Sequence, residues 1–532
     1  MKDETSNSAL EEISRTQSDE KIIRQALGRN ATLGDFYDAT RDVFCSQNLF
    51  SDELPEDSVR ITPKKTIRCH YEIEGSTNEK CTNLGIGNEL KISVLTGLVN
   101  FKGHEEFLKS NNQTNREVSA TLVCKITTKY ESIKRIDNAN VTKLISEDAI
   151  KSTLNATHVV VAIQWGAIVL ATLKCTNVKN EDKKELSAGL EGKLSALEVA
   201  TSDEAKADLT WRNTKLSENY NYHLEFYIDS LLKGEKVPQN IEEAKSFMSK
   251  LPGLIEESDS GKGVPIWYEL LPISSFVDSI NRISRSIEND VLEDVVRIYE
   301  EMDQNLRDLR DLKDDLHEFS FCTTSNESQS IDSDLTMIQK SQMKMKKQLS
   351  ETIVNIRSGN SDITKLNEVI EDYSKSKIKR SCVEEIILRY TPVCDKIKYV
   401  MHLQENGVHY IGEGKVLENE RSTHSRGECY VFFCQWTNPQ GLKCNRRYFD
   451  TLINRKSLPC FLVDVDIHRE IQNEEYENVP SGNRICYFKN RSYILTDCAC
   501  SCRILNFIRI FLARFKRMLA IDHLLGSNHT HL

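Results

Sequence analysis

The sequence predicts a multidomain α+β protein, and three changes of pattern along its 532 residues support this fold class. Up to about Gly263, strand-like apolar runs are separated by polar loops that contain glycine, as in an antiparallel sheet. Between Gly263 and Gly359 there is no glycine, and apolar residues recur every three or four positions, which indicates an α-helical bundle. From about Cys382, short apolar runs alternate with helical segments, which is typical of an α/β domain.

Charge and the N-terminus restrict the partners and the compartment. The net charge of −10 argues against nucleic acid as a partner. The N-terminal segment MKDETSNSALEEISRTQSDEK has no apolar core of the kind that a signal peptide requires. We therefore expect a disordered tail over residues 1–21, and a protein that is cytoplasmic or leaves the cell by an unconventional route to act on membranes.

Two segments of the first region are predicted to be strands. Val159–Leu173 is the longest apolar stretch, but Gln164 interrupts it and a membrane-spanning helix needs ~20 residues. Its β-branched content predicts a buried strand. In the segment Val118–Ile126 apolar residues recur at every second position. A strand would therefore place on one face Val118, Ala120, Leu122, Cys124 and Ile126.

Three amphipathic helices are predicted for the bundle, and the first is expected to span ~36 residues, or ~54 Å. A packed bundle without activity of its own is the simplest interpretation. The predicted apolar stripes are Val291, Val295, Ile298, Met302, Leu309, Leu316 and Phe319 in the first helix, Ile331, Leu335, Ile338, Met345, Leu349, Ile353 and Ile356 in the second, and Ile363, Leu366, Ile370 and Tyr373 in the third.

The 16 cysteines are predicted to be mostly reduced thiols, because no secretory signal is apparent. The densest cluster, Cys498-Ala-Cys500-Ser-Cys502, lacks a second ligand pair at the spacing of a zinc site. Buried thiols are therefore favoured there, and we expect neither a metal nor a cofactor.

The last region resembles the thioredoxin fold. The resemblance rests on the strand YVFF followed by WTNPQG, on FLVDVD, and on Val479-Pro480-Ser481 before RICYFKN and a hairpin. It covers roughly 130 residues, a length within the ordinary range for one domain. In that fold a helix follows the redox motif, which here corresponds to Trp436, Thr437, Asn438, Pro439 and Gln440. The resemblance also implies that Pro480 occupies the position of the cis-proline that faces the active site.

The chemistry of that site does not carry over. Disulfide exchange requires a thiolate at the helix N-terminus, where free N–H groups and the helix dipole lower its pKa. Thr437 stands in the nucleophile's position and Gln440 in the resolving one, and neither forms a disulfide. Cys434 lies upstream on the strand, and Cys444 is expected one turn into the helix. We interpret the region as a structural or docking module, and no other motif predicts an enzyme.

The front of the chain resembles a family of fish-venom cytolysins, the stonustoxin and neoverrucotoxin family. The resemblance lies in the segments ALGRNATLGDFYDATRD, NATHVVVAIQWGA and SGKGVPIWYELLPISSF. It implies a bent-sheet domain like those of perforin and the cholesterol-dependent cytolysins (residues 22–263), then a helical bundle like focal-adhesion-targeting domains (264–380). A thioredoxin-like domain without redox cysteines (381–525) and a tail (526–532) would follow.

The sequence departs from that family and its superfamily at two points. The family carries a further C-terminal SPRY-type domain, which we expect this chain to lack. The Tyr-Gly-Thr-His signature of vertebrate perforins is also absent, and Gln164-Trp165-Gly166 stands in the comparable central region. The resemblance implies a lipid membrane as partner, together with copies of the chain itself or a homologous second subunit.

The superfamily's mechanism requires two segments that are helical at first and later become membrane-spanning β-hairpins. Glu185–Ala200 fits both states. A helix would place on one face Leu186, Leu190, Leu194 and Leu197. In a strand, one face would be directed toward lipid and would carry Ala188, Leu190, Gly192, Leu194 and Ala196. The other face would be directed toward water and would carry Gly189, Glu191, Lys193 and Ser195. Residues 186–196 also have the length of a membrane strand, ~9–11 residues.

The sequence defines the other strands of the two expected hairpins less closely. The strand returning from Glu185–Ala200 could be Ala205–Asn213 or Tyr220–Ile228. The first hairpin would use Leu90–Phe101 and Val118–Ile126, with Leu122 and Ile126 among its inserting residues. The same patterns also fit ordinary core helices and strands of a relative that does not insert.

The C-terminal segment Arg503–Ile521 forms an apolar stripe flanked by cations, and packing inside the last domain is favoured over binding to an anionic membrane.

The sequence as a whole predicts a pore-forming or membrane-perturbing protein. The alternative is an intracellular scaffold that retains the fold without inserting.

Overall fold

The computed structural model divides into two compact units. The first comprises Met1–Asp311 and Leu335–Glu384, and the second comprises Leu312–Asp334 and Glu385–Leu532. The structure describes residues 21–73, 77–99, 108, 115–134, 138–175, 183–199, 222–228, 236–257, 259–277, 279–280, 282, 284–425, 427–438, 440–467, 483–490 and 492–496.

An antiparallel sheet organises the first unit. Its strands are β1 (Ile22–Gln25), β2 (Asp35–Asp38), β3 (Val43–Asn48), β4 (Val59–Ile73), β5 (Val118–Ile133), β6 (His158–Cys175), β7 (Tyr222–Ile228) and β8 (Val264–Pro272). The 18-residue strand β6 lies at the centre, with β5 along one side and β8 and then β7 along the other. Both predicted strands are confirmed, since Val118–Ile126 and Val159–Leu173 lie within β5 and β6.

The sheet bends along a line that crosses β4, β5 and β6. Pairing shifts register between Pro63 and Thr66, between Thr127 and Tyr130, and between Gln164 and Trp165. Bulges of this kind bend strands and increase their twist. The bent-sheet prediction is therefore confirmed, and the Gln164-Trp165-Gly166 stretch lies where β8 gives way to β7.

Glycine is required at this bend because two backbones approach closely. A Cβ atom on Gly166 would lie 1.8 Å from the carbonyl oxygen of Ile126. Gly263, at a φ of +79°, would place a Cβ atom 2.2 Å from the carbonyl oxygen of Gly166. No side chain fits at either distance, so the two glycines allow β5, β6 and β8 to meet.

Within the described residues, six helices accompany the sheet and three others form the bundle. The first six are α1 (Thr77–Asn83), α2 (Asn88–Leu95), α3 (Ala139–Thr142), α4 (Glu147–Ser152), α5 (Lys183–Val199) and α6 (Ile241–Glu257). The bundle helices are α7 (Asn289–Glu318), α8 (Ser325–Arg357) and α9 (Thr364–Lys375), followed by α10 (Arg380–Arg389) and α11 (Thr391–Glu405). α7 has 30 residues, fewer than predicted, because a 3₁₀ turn at Ser320–Cys322 follows it.

The predicted bundle stripes are largely confirmed. In α7 and α8 every predicted stripe residue from Val295 to Leu316 and from Ile331 to Ile356 is buried. In α9 the buried residues are Leu366, Val369 and Tyr373, whereas Ile363 precedes the helix. Helical periodicity alone predicted these faces, because each helix buries one continuous stripe.

The predicted boundary between sheet domain and bundle at residue 263 is wrong. β8 pairs with β1 and with β6, so Val264–Pro272 belongs to the sheet. The absence of glycine after Gly263 places the boundary too early, because β8 contains no glycine either. Pro265 is accommodated where the pairing of β6 with β8 shifts register.

The second unit contains a five-stranded sheet. Its strands are β9 (His409–Ile411), β10 (Glu428–Cys434), β11 (Cys460–Asp464), β12 (Arg484–Lys489) and β13 (Ser492–Thr496), and its helices include α12 (Leu417–His424) and α13 (Leu442–Asn454). The order is β13-β12-β10-β11-β9, with β9, β10 and β11 parallel and β12 antiparallel to β10. This is the strand order of a thioredoxin-like sheet with an added edge strand, as the sequence predicts.

Most of the described cysteines are free thiols, as expected, but three are disulfide-bonded. A disulfide joins Cys69 of β4 to Cys124 of β5, which are directly opposite in the ladder. Cys444 is disulfide-bonded as well. Cys81, Cys322 and Cys460 keep their thiols, as expected. Only strand pairing shows that residues 55 apart face each other across two strands.

Replacing Gly166 by alanine is expected to destabilise the first unit on the order of 4 kcal/mol, because the added methyl collides with the backbone of Ile126. Urea unfolding followed by near-UV circular dichroism measures the change. The matched control is Gly253→Ala in α6, where nothing lies within 4 Å of the added Cβ atom. That control should be neutral or stabilising by up to ~1 kcal/mol. Equal stability of Gly166→Ala and the parent chain would contradict the close approach.

Candidate functional site

Two long connections join neighbouring antiparallel strands of the first sheet. Residues 74–117 link β4 to β5, and residues 176–221 link β6 to β7. These connections have 44 and 46 residues, although two residues suffice to join an antiparallel pair. The first carries α1 and α2, and the second carries α5. We treat them as the candidate functional segments.

The second connection packs its leucines onto the sheet. Leu186, Leu190, Leu194 and Leu197 of α5 are at most 3% exposed and share one apolar core with β5, β6, β7 and α6. The predicted helical face is therefore confirmed. Ala188 and Glu191 are exposed on the opposite side. The Lys193 ammonium lies 4.5 Å from the ring centre of Tyr222 in β7, which adds a polar contact between helix and strand.

Other sequence-predicted residues fall in different places. Leu122 and Ile126 lie in the same core, but on β5, which is already a strand. They therefore lie in a strand before any conversion, and their insertion into a membrane stays a prediction. Tyr222–Ile228 is likewise already strand β7. The side chain of Ala196 and the segment Ala205–Asn213 lie outside the described residues.

The first connection covers the opposite face of the sheet. Leu84, Ile86 and Leu90 pack with Val123 of β5 and Ile168 of β6. Neighbouring residues of a strand point to opposite faces, which is why Val123 faces α2 and the adjacent Leu122 faces α5. Each face of the same strands is thus covered by one of the two connections.

A buried arginine ties the first connection to the bundle. Arg357, the last residue of α8, is 1% exposed. Its Nη1 atom lies 2.9 Å from Asp42 Oδ2 and 2.7 Å from Ser93 Oγ, and its Nη2 atom lies 2.7 Å from Glu89 Oε2. Glu89 and Ser93 both belong to α2. One side chain of the bundle therefore holds two positions of the first connection.

Asp42 is the shared anion of this cluster. It also accepts hydrogen bonds from Arg24 Nε at 2.8 Å and from the Tyr37 hydroxyl at 2.7 Å. Burial alone would raise the pKa of the Asp42 carboxyl, but Arg24 and Arg357 hold that pKa well below its usual range. Asp42 therefore stays ionised throughout the physiological range. No sequence motif could have revealed a pair separated by 315 residues.

The far end of the first connection is held as well. The backbone N–H of Asn115 donates to the Asp311 carboxylate at 3.0 Å, and its side-chain amide donates to Asp308 at 2.9 Å. Near α2, the backbone N–H of Ile287 donates to Glu89 at 2.8 Å. Both ends of the first connection are thus bonded to the bundle or to the segment that leads into it.

The degenerate redox motif of the second unit is an ordered loop that precedes α13. Thr437 Oγ1 lies 2.7 Å from Asp466 Oδ1, and the Asn483 amide donates to the carbonyl oxygen of Asn438 at 2.6 Å. Trp436 packs edge-on against Tyr399. Hydrogen-bonding side chains thus fix the loop where thioredoxins carry thiols. Pro439 and Pro480 lie outside the described residues, so the cis-proline prediction stays a prediction.

The expected positions of this motif need two corrections. α13 begins at Leu442, so Thr437 and Gln440 both precede the helix, and Gly441 at a φ of 73° separates them from it. Cys444 is the third residue of α13 and lies within its first turn, not beyond it. Gly441 caused the displacement, because its left-handed conformation delays the helix start. Burial raises the pKa of the Cys434 thiol well above its ordinary value.

Among the helices that the structure describes, none combines the length and the apolar character needed to cross a membrane.

Comparison with known proteins agrees with this architecture. The family model of the SNTX, MACPF/CDC-like domain matches residues 21–303. A domain of unknown function matches residues 402–500. Cytolytic toxin-alpha of Scorpaena plumieri is 27% identical over 365 residues, which cover 67% of this chain and 49% of that protein. Stonustoxin subunit beta of Synanceia horrida is 26% identical over 318 residues, covering 55% and 44%.

A solved stonustoxin structure matches with a TM-score of 0.57 at 17% identity, covering 90% of this chain and 70% of that one. This likeness shows the shared fold. The chain spans about half the length of the curated relatives it matches. Because the family model covers more than half of the chain, the predicted resemblance is confirmed: the chain belongs to the family of the SNTX, MACPF/CDC-like domain.

Proposed function

We propose that this chain is a pore-forming or membrane-perturbing protein that assembles on a membrane and converts its two helical connections into β-hairpins. The observation that carries the proposal is α5. It joins two neighbouring strands of one sheet and buries a leucine face, while its sequence also alternates as a membrane strand does. The names of its relatives, a cytolytic toxin and stonustoxin subunits, agree with this activity.

The lengths of the two connections fit hairpins. A hairpin that crosses a bilayer needs two strands of ~9–11 residues and a turn. The connections provide 44 and 46 residues, which is enough to cross and also to extend β4, β5, β6 and β7 toward the membrane. Their near-equal length suits two hairpins of the same depth, placed side by side in one sheet.

The side chains of α5 are suited to both states. In a strand, Leu190 and Leu194 would face lipid, and Glu191 and Lys193 would face water. The two leucines are buried against the sheet before conversion, so they keep apolar surroundings in both states. Gly189 and Gly192 each weaken the helix by ~1 kcal/mol, which favours conversion.

Assembly would use the edges of the sheet. Within the described residues, β4 pairs only with β5, and β7 pairs only with β6. β4 is 15 residues long and mostly exposed, with Ile61 50% and Ile67 42% exposed. A long exposed edge strand is a template for pairing with another chain. The partner would be a second copy or a homologous subunit, such as the alpha and beta subunits named among the relatives.

The bundle would control release of the first connection. Arg357, Asp42 and Glu89 must separate before α2 can leave the sheet. Breaking a buried ion pair costs ~3–5 kcal/mol when one partner remains unpaired. Membrane contact or assembly would therefore have to supply that free energy, which keeps the isolated chain in its closed state.

A pair of fluorescent positions tests the conversion of α5. Ala188 and Glu191 are both exposed, so a solvatochromic fluorescent amino acid at either position starts in water. Residues three apart share one face of a helix but lie on opposite faces of a strand. On vesicles, the probe at position 188 should shift to the blue, whereas the probe at position 191 should keep its emission maximum.

The outcomes separate three states of the segment. Equal blue shifts at both positions would mean that α5 lies on the membrane as a helix. No shift at either position, on vesicles that the chain has bound, would exclude insertion and favour a scaffold. Release of an entrapped dye, measured in the same samples, links the spectral change to permeabilisation.

Replacing Arg357 by methionine is expected to loosen α2. Glu89 then loses the cation with which it pairs, and Asp42 keeps Arg24 as its remaining cation. Backbone amides of Asn88–Leu95 should exchange with deuterium roughly tenfold faster or more, since 1.4 kcal/mol corresponds to a factor of ten. Exchange in α5 should change much less, because α5 packs on the opposite face. Hydrogen exchange read by mass spectrometry measures both segments in one experiment.

The matched control is Arg297→Met, which removes an exposed pair with Asp294. Such pairs contribute only ~0–1 kcal/mol, so exchange in α2 should be unchanged. If Arg357→Met left α2 protection at the parental level, the bundle would not hold the first connection.

A further inference from the structure

Three side chains with metal-binding chemistry converge in the second unit. His409 is the first residue of β9, and Glu420 and His424 lie one turn apart on α12. Each offers one ligand atom, and these three atoms lie within 4.8 Å of one another. In the sequence, metal binding is considered only for Cys498-Ala-Cys500-Ser-Cys502, and no motif singles out these three residues. Only the packing of α12 beside β9 brings them together.

The histidine rings of the cluster lie close together. The rings of His409 and His424 stack nearly face to face, with centroids 4.1 Å apart and an angle of 20° between their planes. Phe461 of β11 stacks on the other side of His409 at 5.1 Å, which fixes the orientation of that ring. His424 Nε2 lies 3.6 Å from Glu420 Oε2. One ligand is therefore held by the sheet, and the other two come from successive turns of one helix.

The chemistry of the cluster also suits a cation. Neutral imidazoles and an ionised carboxylate are the forms that bind metals. Glu420 supplies a negative charge beside the two imidazoles. Two close imidazoles without a carboxylate would suit a metal less well.

We propose that His409, Glu420 and His424 form a binding site for one Zn²⁺ ion, which joins α12 to the edge strand β9. Two imidazoles and a carboxylate are a ligand set that zinc accepts, with a water molecule in the fourth position. Tetrahedral ligands ~2.0–2.1 Å from the metal lie closer together than 4.8 Å. His424 and Glu420 are 40% and 27% exposed, and binding would turn the His424 ring out of its stack on His409 to bring the three ligand atoms around one ion.

The bound ion would stabilise the edge of the sheet. β9 is the terminal strand in the described order, and it pairs only with β11. Since α12 carries two of the ligands, the ion would fasten this helix to β9. This role belongs to the second unit and is independent of the proposed insertion of the first.

The test titrates the full chain, freed of metal by a chelator, with Zn²⁺ by calorimetry and with Co²⁺ by visible absorption. The variants are His424→Ala and Glu420→Gln, and the control is His402→Ala, an exposed histidine of α11. Each site variant should bind one equivalent less, or bind that equivalent at least ~10-fold more weakly. The Co²⁺ spectrum of this equivalent should lack a thiolate charge-transfer band, which excludes cysteine ligands.

Thermal unfolding with and without Zn²⁺ adds a second readout. Zinc should raise the melting temperature of the parent and of His402→Ala, but not that of His424→Ala, because only the folded site binds the ion. Equal stoichiometry and affinity in the parent and in His424→Ala would overturn the proposal. So would a parent chain that binds no Zn²⁺, or an equal loss in the His402→Ala control.

Discussion

The packing of the α5 leucines against the sheet is the interaction on which the rest of the first unit depends. Four leucines buried there contribute roughly 6–12 kcal/mol, at ~1.5–3 kcal/mol for each side chain. They cover one face of β5 and β6, and α1 and α2 cover the other. If the segment becomes a membrane strand, Leu190 and Leu194 exchange one apolar environment for another. The hydrophobic term then changes little, and the contacts that hold the connections decide which state is populated.

Those contacts are mainly polar and buried. Asp42 connects Arg24, Tyr37 and Arg357 at distances of 2.7–2.9 Å, so the turn after β2, helix α2 and the end of α8 share one ion cluster. A cluster of this kind is cooperative, because removing one member leaves charged neighbours without compensation in a medium of low polarity. The helical bundle, which the sequence presents as a plain packed element, thereby becomes the element that restrains the first connection.

The second unit keeps a thioredoxin-like fold with other side chains in the loop where thioredoxins have thiols. Thr437 Oγ1 donates to Asp466, and the Asn483 amide donates to the backbone carbonyl oxygen of Asn438. Behind it, Lys396 pairs with the buried Asp464 at 2.6 Å. These contacts fix the loop, in which Thr437 and Gln440 stand in place of the two thiols. Such a unit is suited to support and docking, and the proposed zinc site would reinforce its edge.

Periodicity and local chemistry determined much of this protein from the sequence alone. The strands β5 and β6 and the buried faces of α5, α7 and α8 follow from repeats of 2 and 3.6 residues. The thioredoxin-like organisation of the second unit was implied by the resemblance of its motifs. Gly166 could be singled out in the sequence, although its reason, a Cβ atom 1.8 Å from a carbonyl oxygen, is visible only in the sheet.

Tertiary structure decided whatever depends on residues that are distant along the chain. The Cys69–Cys124 disulfide, the pairing of β8 with β6, and the Arg357–Asp42 ion pair join positions separated by tens to hundreds of residues. Periodicity predicted that Leu122 and Ile126 share one face of a strand, but only the sheet shows that this face meets the leucines of α5. A local pattern specifies which face of an element is apolar, whereas only the packed chain specifies what that face meets.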